Sequence, residues 1–159
     1  MTAAKLQLDE FLPYRLSITS NLVSDAIAGT YEALFGLTIP QWRLIAVIAE
    51  NDGISQQAIG VKTRMDKVTV SRAAIALAHR GLIERSGNPA DRRSNRLVLS
   101  ASGRALYDQV VPKALELETR IFGAFDQATL DGFTEMLRSI DRIALDIGDD
   151  ASAGDPTAD

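Results

Sequence analysis

A chain of 159 residues, 46% hydrophobic and 24% charged, has the length and apolar content of one globular domain or one subunit of an intertwined dimer. It contains no cysteine, which excludes disulfides, thiolate zinc sites and thiol redox chemistry; its single histidine, His79, cannot by itself build a metal site. No stretch approaches the roughly 18 uninterrupted apolar residues of a membrane helix, and Met1-Thr-Ala-Ala-Lys5 lacks the apolar core of a signal peptide, so a cytoplasmic protein is expected.

In chain order, Leu6 to about Phe35 reads as a long helix carrying Leu8, Phe11, Leu12, Leu16, Leu22, Val23, Ile27 and Leu34, with Pro13 tolerable only near its start or at a kink. That apolar stripe is too wide for a helix facing solvent alone, so part of it should meet a second subunit. Gly36 ends the helix, and Thr38 caps a second one from about Ile39 to Glu50 with Pro40 in its first turn. Asn51-Asp-Gly53 is a turn; Ser55 then caps a short third helix, Gln56 to about Lys62, and Lys62-Thr-Arg64 leads into a fourth, the spacing of a helix-turn-helix.

In this fourth helix Val70, Ala73, Ala74 and Leu77 recur at helical spacing while Lys67, Thr69, Ser71 and Arg72 lie on the other sides. Asp66 is placed as its N-cap and Gly81 as its left-handed stop. A rod of that length fits the B-DNA major groove, where Lys67, Thr69, Ser71 and Arg72 can reach phosphates and base edges and Val68 can touch a thymine methyl. Leu82 and Ile83, a turn at Gly87-Asn88-Pro89, and Leu97 to Leu99 form a two-stranded hairpin. Its tip carries Asp91-Arg92-Arg93, where no core can use the charges: two guanidinium groups suit the narrow minor groove, and Asp91 can orient Arg93. Lys62, Arg64 and Arg96 add general phosphate contacts.

Ser100 caps a helix from about Ala101 to Phe125, which Pro112 should kink or split, and Asp126 or Thr129 caps a last helix with Leu130, Phe133, Met136, Leu137, Ile140, Ile143 and Ala144 repeating at three and four. Gly148 to Asp159 is acidic, small-residue-rich and expected to be disordered. The net charge of −4 divides unevenly. Residues 40–100 hold ten Lys/Arg against five Asp/Glu, a net of +5, and the remainder seven against sixteen, a net of −9. Cationic charge therefore gathers where a nucleic-acid backbone would lie.

Asp66-Lys-Val-Thr-Val-Ser-Arg72, Arg80-Gly-Leu-Ile-Glu-Arg85, the Asp91-Arg-Arg93 wing, Leu99-Ser-Ala-Ser-Gly103 and, upstream, Leu37-Thr-Ile-Pro-Gln-Trp-Arg43 together resemble the signature blocks of the MarR family of transcriptional regulators, in order and spacing over about residues 11 to 145. The resemblance implies a mainly α fold with a small β-wing: an N-terminal dimerisation helix (1–36), a winged helix-turn-helix (37–100), C-terminal dimerisation helices (101–147) and a tail (148–159). It also implies a homodimer on a pseudopalindromic double-stranded operator, with half-sites about ten base pairs apart, acting as a repressor released by a small aromatic or phenolic ligand. With no cysteine, the peroxide-sensing branch of the family is removed. Mapped onto this chain, the ligand pocket would draw on the first, second and fifth helices, with Tyr14, Arg15, Trp42 and Arg43 as candidates. Trp42 reads as a core or staple residue before it reads as a ligand contact, and Arg15 and Arg43 read also as ion-pair partners of an acid such as Glu50. No cofactor, membrane association or enzymatic constellation is expected. The alternative is a winged helix that binds protein rather than DNA, against which the arginine-tipped wing speaks.

Overall fold

Prolines, glycines and short polar side chains fix where the helices begin and end. The computed structural model describes residues 5–51, 53–87 and 95–153. The first helix, α1 (Leu12–Phe35), starts later than its apolar pattern suggests, and Leu8–Glu10 form a separate 3-10 turn. Pro13 is the cause: continued back to Leu6, the helix would press the proline ring into the carbonyl four residues earlier, whereas in the first turn the missing N–H costs nothing. Gly36 closes α1 in the left-handed region at φ 61°.

Thr38 opens α2 (Ile39–Glu50) with a reciprocal cap, its Oγ1 accepting from the Gln41 N–H while its own N–H donates to Gln41 Oε1. α3 (Gln56–Thr63) is short and holds Gly60 and Val61, whose propensities oppose it by about 1 kcal/mol. Complete burial of Ile59 contributes about 2 kcal/mol the other way, so packing rather than propensity keeps α3 helical. α4 (Lys67–His79) follows, then strands β2 (Ile83–Ser86) and β3 (Arg96–Leu99).

Periodicity gave no sign of a third strand. Ile54 and Ser55 form β1 and pair antiparallel with Leu97 and Arg96, making the sheet order β1-β3-β2. Two residues are too few to show alternation. The hairpin register pairs Ile83 with Leu99 and Arg85 with Leu97, which turns Ile83 and Leu97 into the core. One buried cluster joins Leu44, Ile45 and Ile48 of α2, Ile59 of α3, Val70, Ala73, Ala74 and Leu77 of α4, and those strand residues.

α5 (Ala101–Phe122) runs through Pro112 as one helix, so the expected split does not occur. Proline removes one backbone bond, to the carbonyl of Asp108; Asp108 and Pro112 are both exposed, and water can take the missing donor's place. α6 (Gln127–Ala153) is capped by Asp126, whose Oδ1 accepts from the Thr129 N–H at 2.8 Å. It continues through Gly148 to Ala153, into the stretch expected to be disordered; 154–159 lie outside the described residues. The chain divides into two compact units, one ending at Leu117 and one beginning at Glu118. In the second unit Phe133, Met136, Ile140, Ile143 and Ile147 are all more than 40% exposed along one side of α6. Among the described residues no single helix is long and apolar enough to cross a membrane.

Candidate nucleic-acid interface

The helix-turn-helix is built from two capped helices and one strained corner. Ser55 Oγ accepts from the Ala58 N–H at 3.1 Å to start α3, and Thr63 Oγ1 donates to the Ile59 carbonyl at 2.7 Å near its end. Arg64 then takes φ 57°, the one non-glycine residue with positive φ among those described, and turns the chain toward α4. Asp66 caps α4 with both carboxylate oxygens: Oδ1 accepts from the Thr69 N–H at 2.8 Å and Oδ2 from its hydroxyl at 2.7 Å. These bonds favour the ionised form, the backbone one most, and hold the Asp66 carboxyl below its usual range.

Burial of Val70, Ala73, Ala74 and Leu77 fixes the rotation of α4. At about 100° per residue, the opposite line is Val68, Arg72, Ile75 and His79, and all four are exposed. Val68 at 55% and Ile75 at 60% exposure are the informative pair, because the core has left two large apolar side chains in solvent on the outermost line. Lys67 is exposed and Ser71 half-buried on one flank. Thr69 falls on the other, with its hydroxyl donating to Asp66 Oδ2. Ile75 and His79 were not among the residues marked from sequence; an isoleucine inside a helical pattern reads as core, and only the packed rotation shows it facing out.

Lys62 and Arg64 are exposed beside this helix, Arg64 on a cleft between α3 and α4 that Gln56, Gln57 and Lys67 also line. Arg96 is exposed on β3, its aliphatic stem lying over Gly53, where an added Cβ would come within 3.3 Å of Arg96 Cδ. Asp91, Arg92 and Arg93 lie outside the described residues.

The residues proposed for a ligand pocket do not gather in one chain. Tyr14 and Arg15 sit in the first turn of α1, and Arg15 pairs with Asp9 at 2.9 Å rather than with Glu50. Arg43 is exposed and forms no ion pair with Glu50 or any other described residue. Trp42 is half-buried and meets two tyrosines: Tyr107 of α5 stacked at 5.9 Å and Tyr31 of α1 edge-on at 5.6 Å. The Arg104 guanidinium lies 5.5 Å from the centre of the Tyr107 ring. Seventeen residues separate Tyr14 from Tyr31, about 25 Å along the helix, too far for Tyr14 to join this cluster in one chain. Burial pushes the Tyr31 hydroxyl pKa up, keeping it neutral.

A helix-turn-helix with an outward-facing second helix, backed by a short hairpin, defines a winged-helix regulator. The sequence model described as MarR family matches residues 35–94. A Mycobacterium bovis protein, Mb2034c, is 30% identical over 103 residues, 65% of this chain and 71% of that one. The crystal structure of a MarR/EmrR family transcriptional regulator from Acinetobacter sp. ADP1 superposes with a TM-score of 0.81 at 26% identity, covering 89% of this chain and 99% of that one. Bordetella bronchiseptica BpsR, whose DNA binding is regulated by 6-hydroxynicotinic acid, superposes at 0.78 with 24% identity over 87% and 98% of the two chains. The chain belongs to the MarR family of transcriptional regulators, a family of regulators and not of enzymes.

Proposed function

We propose that the protein is a homodimeric repressor that binds a pseudopalindromic operator through α4 and releases it when a small aromatic anion binds. The observation that carries this reading is the outer line of α4: Val68, Arg72, Ile75 and His79 are all exposed opposite the buried Val70, Ala73, Ala74 and Leu77, with Lys67 and Ser71 on one flank. A guanidinium on that line suits a guanine edge, and the two apolar side chains suit thymine methyls. A second copy of the chain covers the exposed apolar side of α6, because stripes of this kind rarely stay in water. The effector is placed at Tyr31, Trp42, Arg104 and Tyr107, which combine ring faces with a cation in the manner an aromatic carboxylate requires; no other cofactor is called for.

The test is an anisotropy titration of the wild type on the DNA flanking its own gene, across a salt series. If a dimer neutralises about eight phosphates, log affinity falls with log salt with a slope of about −7. Arg72→Ala should weaken specific binding by about 1–3 kcal/mol while leaving non-specific binding nearly unchanged. Salt-sensitive binding that is absent from the wild type would instead favour the protein-binding winged helix.

A further inference from the structure

The three residues that end α4 are tied to two other helices at once. Arg80, its C-cap, donates from Nη1 to the Gly36 carbonyl at 2.9 Å and from Nη2 to the Phe35 carbonyl at 3.1 Å, so one planar fork holds the last turn of α1. These carbonyls are the unpaired, partly negative end of a 24-residue helix, the place where a guanidinium binds best. The next residue, Gly81, accepts from Ser100 Oγ at 2.6 Å, and Leu82 accepts from the Ser100 N–H at 3.1 Å. Ser100 in turn caps α5, its Oγ accepting from the Gly103 N–H at 3.0 Å.

The two ties differ in kind. On the α5 side there is no slack: Ser100 is buried, and a Cβ on Gly103 would sit 1.9 Å from the Leu82 carbonyl oxygen. On the α1 side, where Tyr31 shares the buried core with α4, the polar tie among the described residues is one exposed side chain. The aromatic cluster lies close to both. Tyr31 is one turn before Phe35 on α1, Tyr107 is one turn after Gly103 on α5, and Trp42 touches both rings. Arg80 is thus a direct polar link between the end of α1, beside that cluster, and the end of the recognition helix.

We infer that Arg80 is a positioning residue: its fork on the Phe35 and Gly36 carbonyls couples α1 and the Trp42 cluster to the set of α4 on DNA. The inference rests on the regulator reading above. It requires both prongs, since an ammonium is a point donor that cannot span two carbonyls as a rigid planar group does.

The experiment compares wild type with Arg80→Lys and Arg80→Gln on the same DNA. Two quantities are read: the salt dependence of affinity, and the emission of Trp42, the only tryptophan in the chain. Circular dichroism at the assay temperature verifies that each variant is folded. Both variants should bind about three- to tenfold more weakly, with the wild-type salt slope, and DNA should change Trp42 emission in the wild type alone. A phosphate-contacting Arg80 gives a different pattern: Gln, present in both subunits, flattens the slope by about 1.8 and Lys binds almost normally, which overturns the inference. So does wild-type affinity with an unchanged Trp42 response in both variants, or a wild type whose Trp42 ignores DNA. If the wild type shows no salt-sensitive binding at all, the regulator reading itself fails, and the Arg80 assignment with it.

Discussion

Gly103→Ala sets two effects of opposite sign against each other. Inside a helix, alanine is favoured over glycine by about 1 kcal/mol, and Gly103 sits in the first turn of α5. Its added Cβ, however, would lie 1.9 Å from the Leu82 carbonyl oxygen and 2.9 Å from the Leu82 carbonyl carbon, backbone atoms that no rotamer change can move. To reach ordinary contact, the start of α5 and the Leu82 backbone that links α4 to β2 must part by more than about 1 Å. Overpacking of this kind costs about 1–3 kcal/mol. The same displacement weakens the bond from the Ser100 N–H to the Leu82 oxygen, worth about 1 kcal/mol, so the propensity gain is outweighed. The net loss is about 2 kcal/mol, which lowers the melting temperature of a domain this size by about 4–8 °C. Far-UV circular dichroism melts at fixed protomer concentration read it directly. Gly29→Ala is the internal control, because nothing lies within 4 Å of its Cβ position in α1, and it should gain up to about 1 kcal/mol. A Gly103→Ala protein that melts at or above the wild-type temperature would refute the reasoning.

The Asp66 carboxyl is held below the usual carboxylate range, first by the Thr69 backbone N–H and then by its hydroxyl. A depressed folded-state pKa means the cap stabilises at pH values above the unfolded pKa, and the contribution is lost as pH falls through the folded one. Thermal melts of Asp66→Asn should therefore decline less than wild type between neutral pH and the acid range below the usual carboxylate pKa; parallel declines would count against the cap as the titrating group. Arg64→Gly should relieve the left-handed strain at φ 57°, raising stability by about 0.5–1 kcal/mol, and, by removing one phosphate contact from each subunit, make the salt slope on DNA shallower by about 1.8. A lower melting temperature would show that Arg64 is not strained; an unaltered slope would remove it from the phosphate contacts.

Sequence alone determined whatever is decided within a few residues. Thr38, Ser55, Asp66 and Ser100 cap the helices their positions predict, Asp126 rather than Thr129 caps the last, and Gly36 and Gly81 adopt the positive φ that stops theirs. Each is a bond or a torsion between close neighbours, so its signal survives in the string of letters. The spacing of Val70, Ala73, Ala74 and Leu77 likewise announced the buried side of α4 before any partner was known.

Tertiary structure decided the rest, because the groups involved are brought together only by the packed core. β1 is two residues long and exists because β3 lies beside it. Trp42 meets Tyr107 from 65 positions away, and Arg80 reaches the end of α1 across 44; no period or motif encodes either meeting. The glycine at 103 looks like a weak spot in a helix until the Leu82 oxygen is placed against it. Local chemistry thus chose the elements and their ends, while the burial of one shared core fixed their rotation, and with it which side chains face outward.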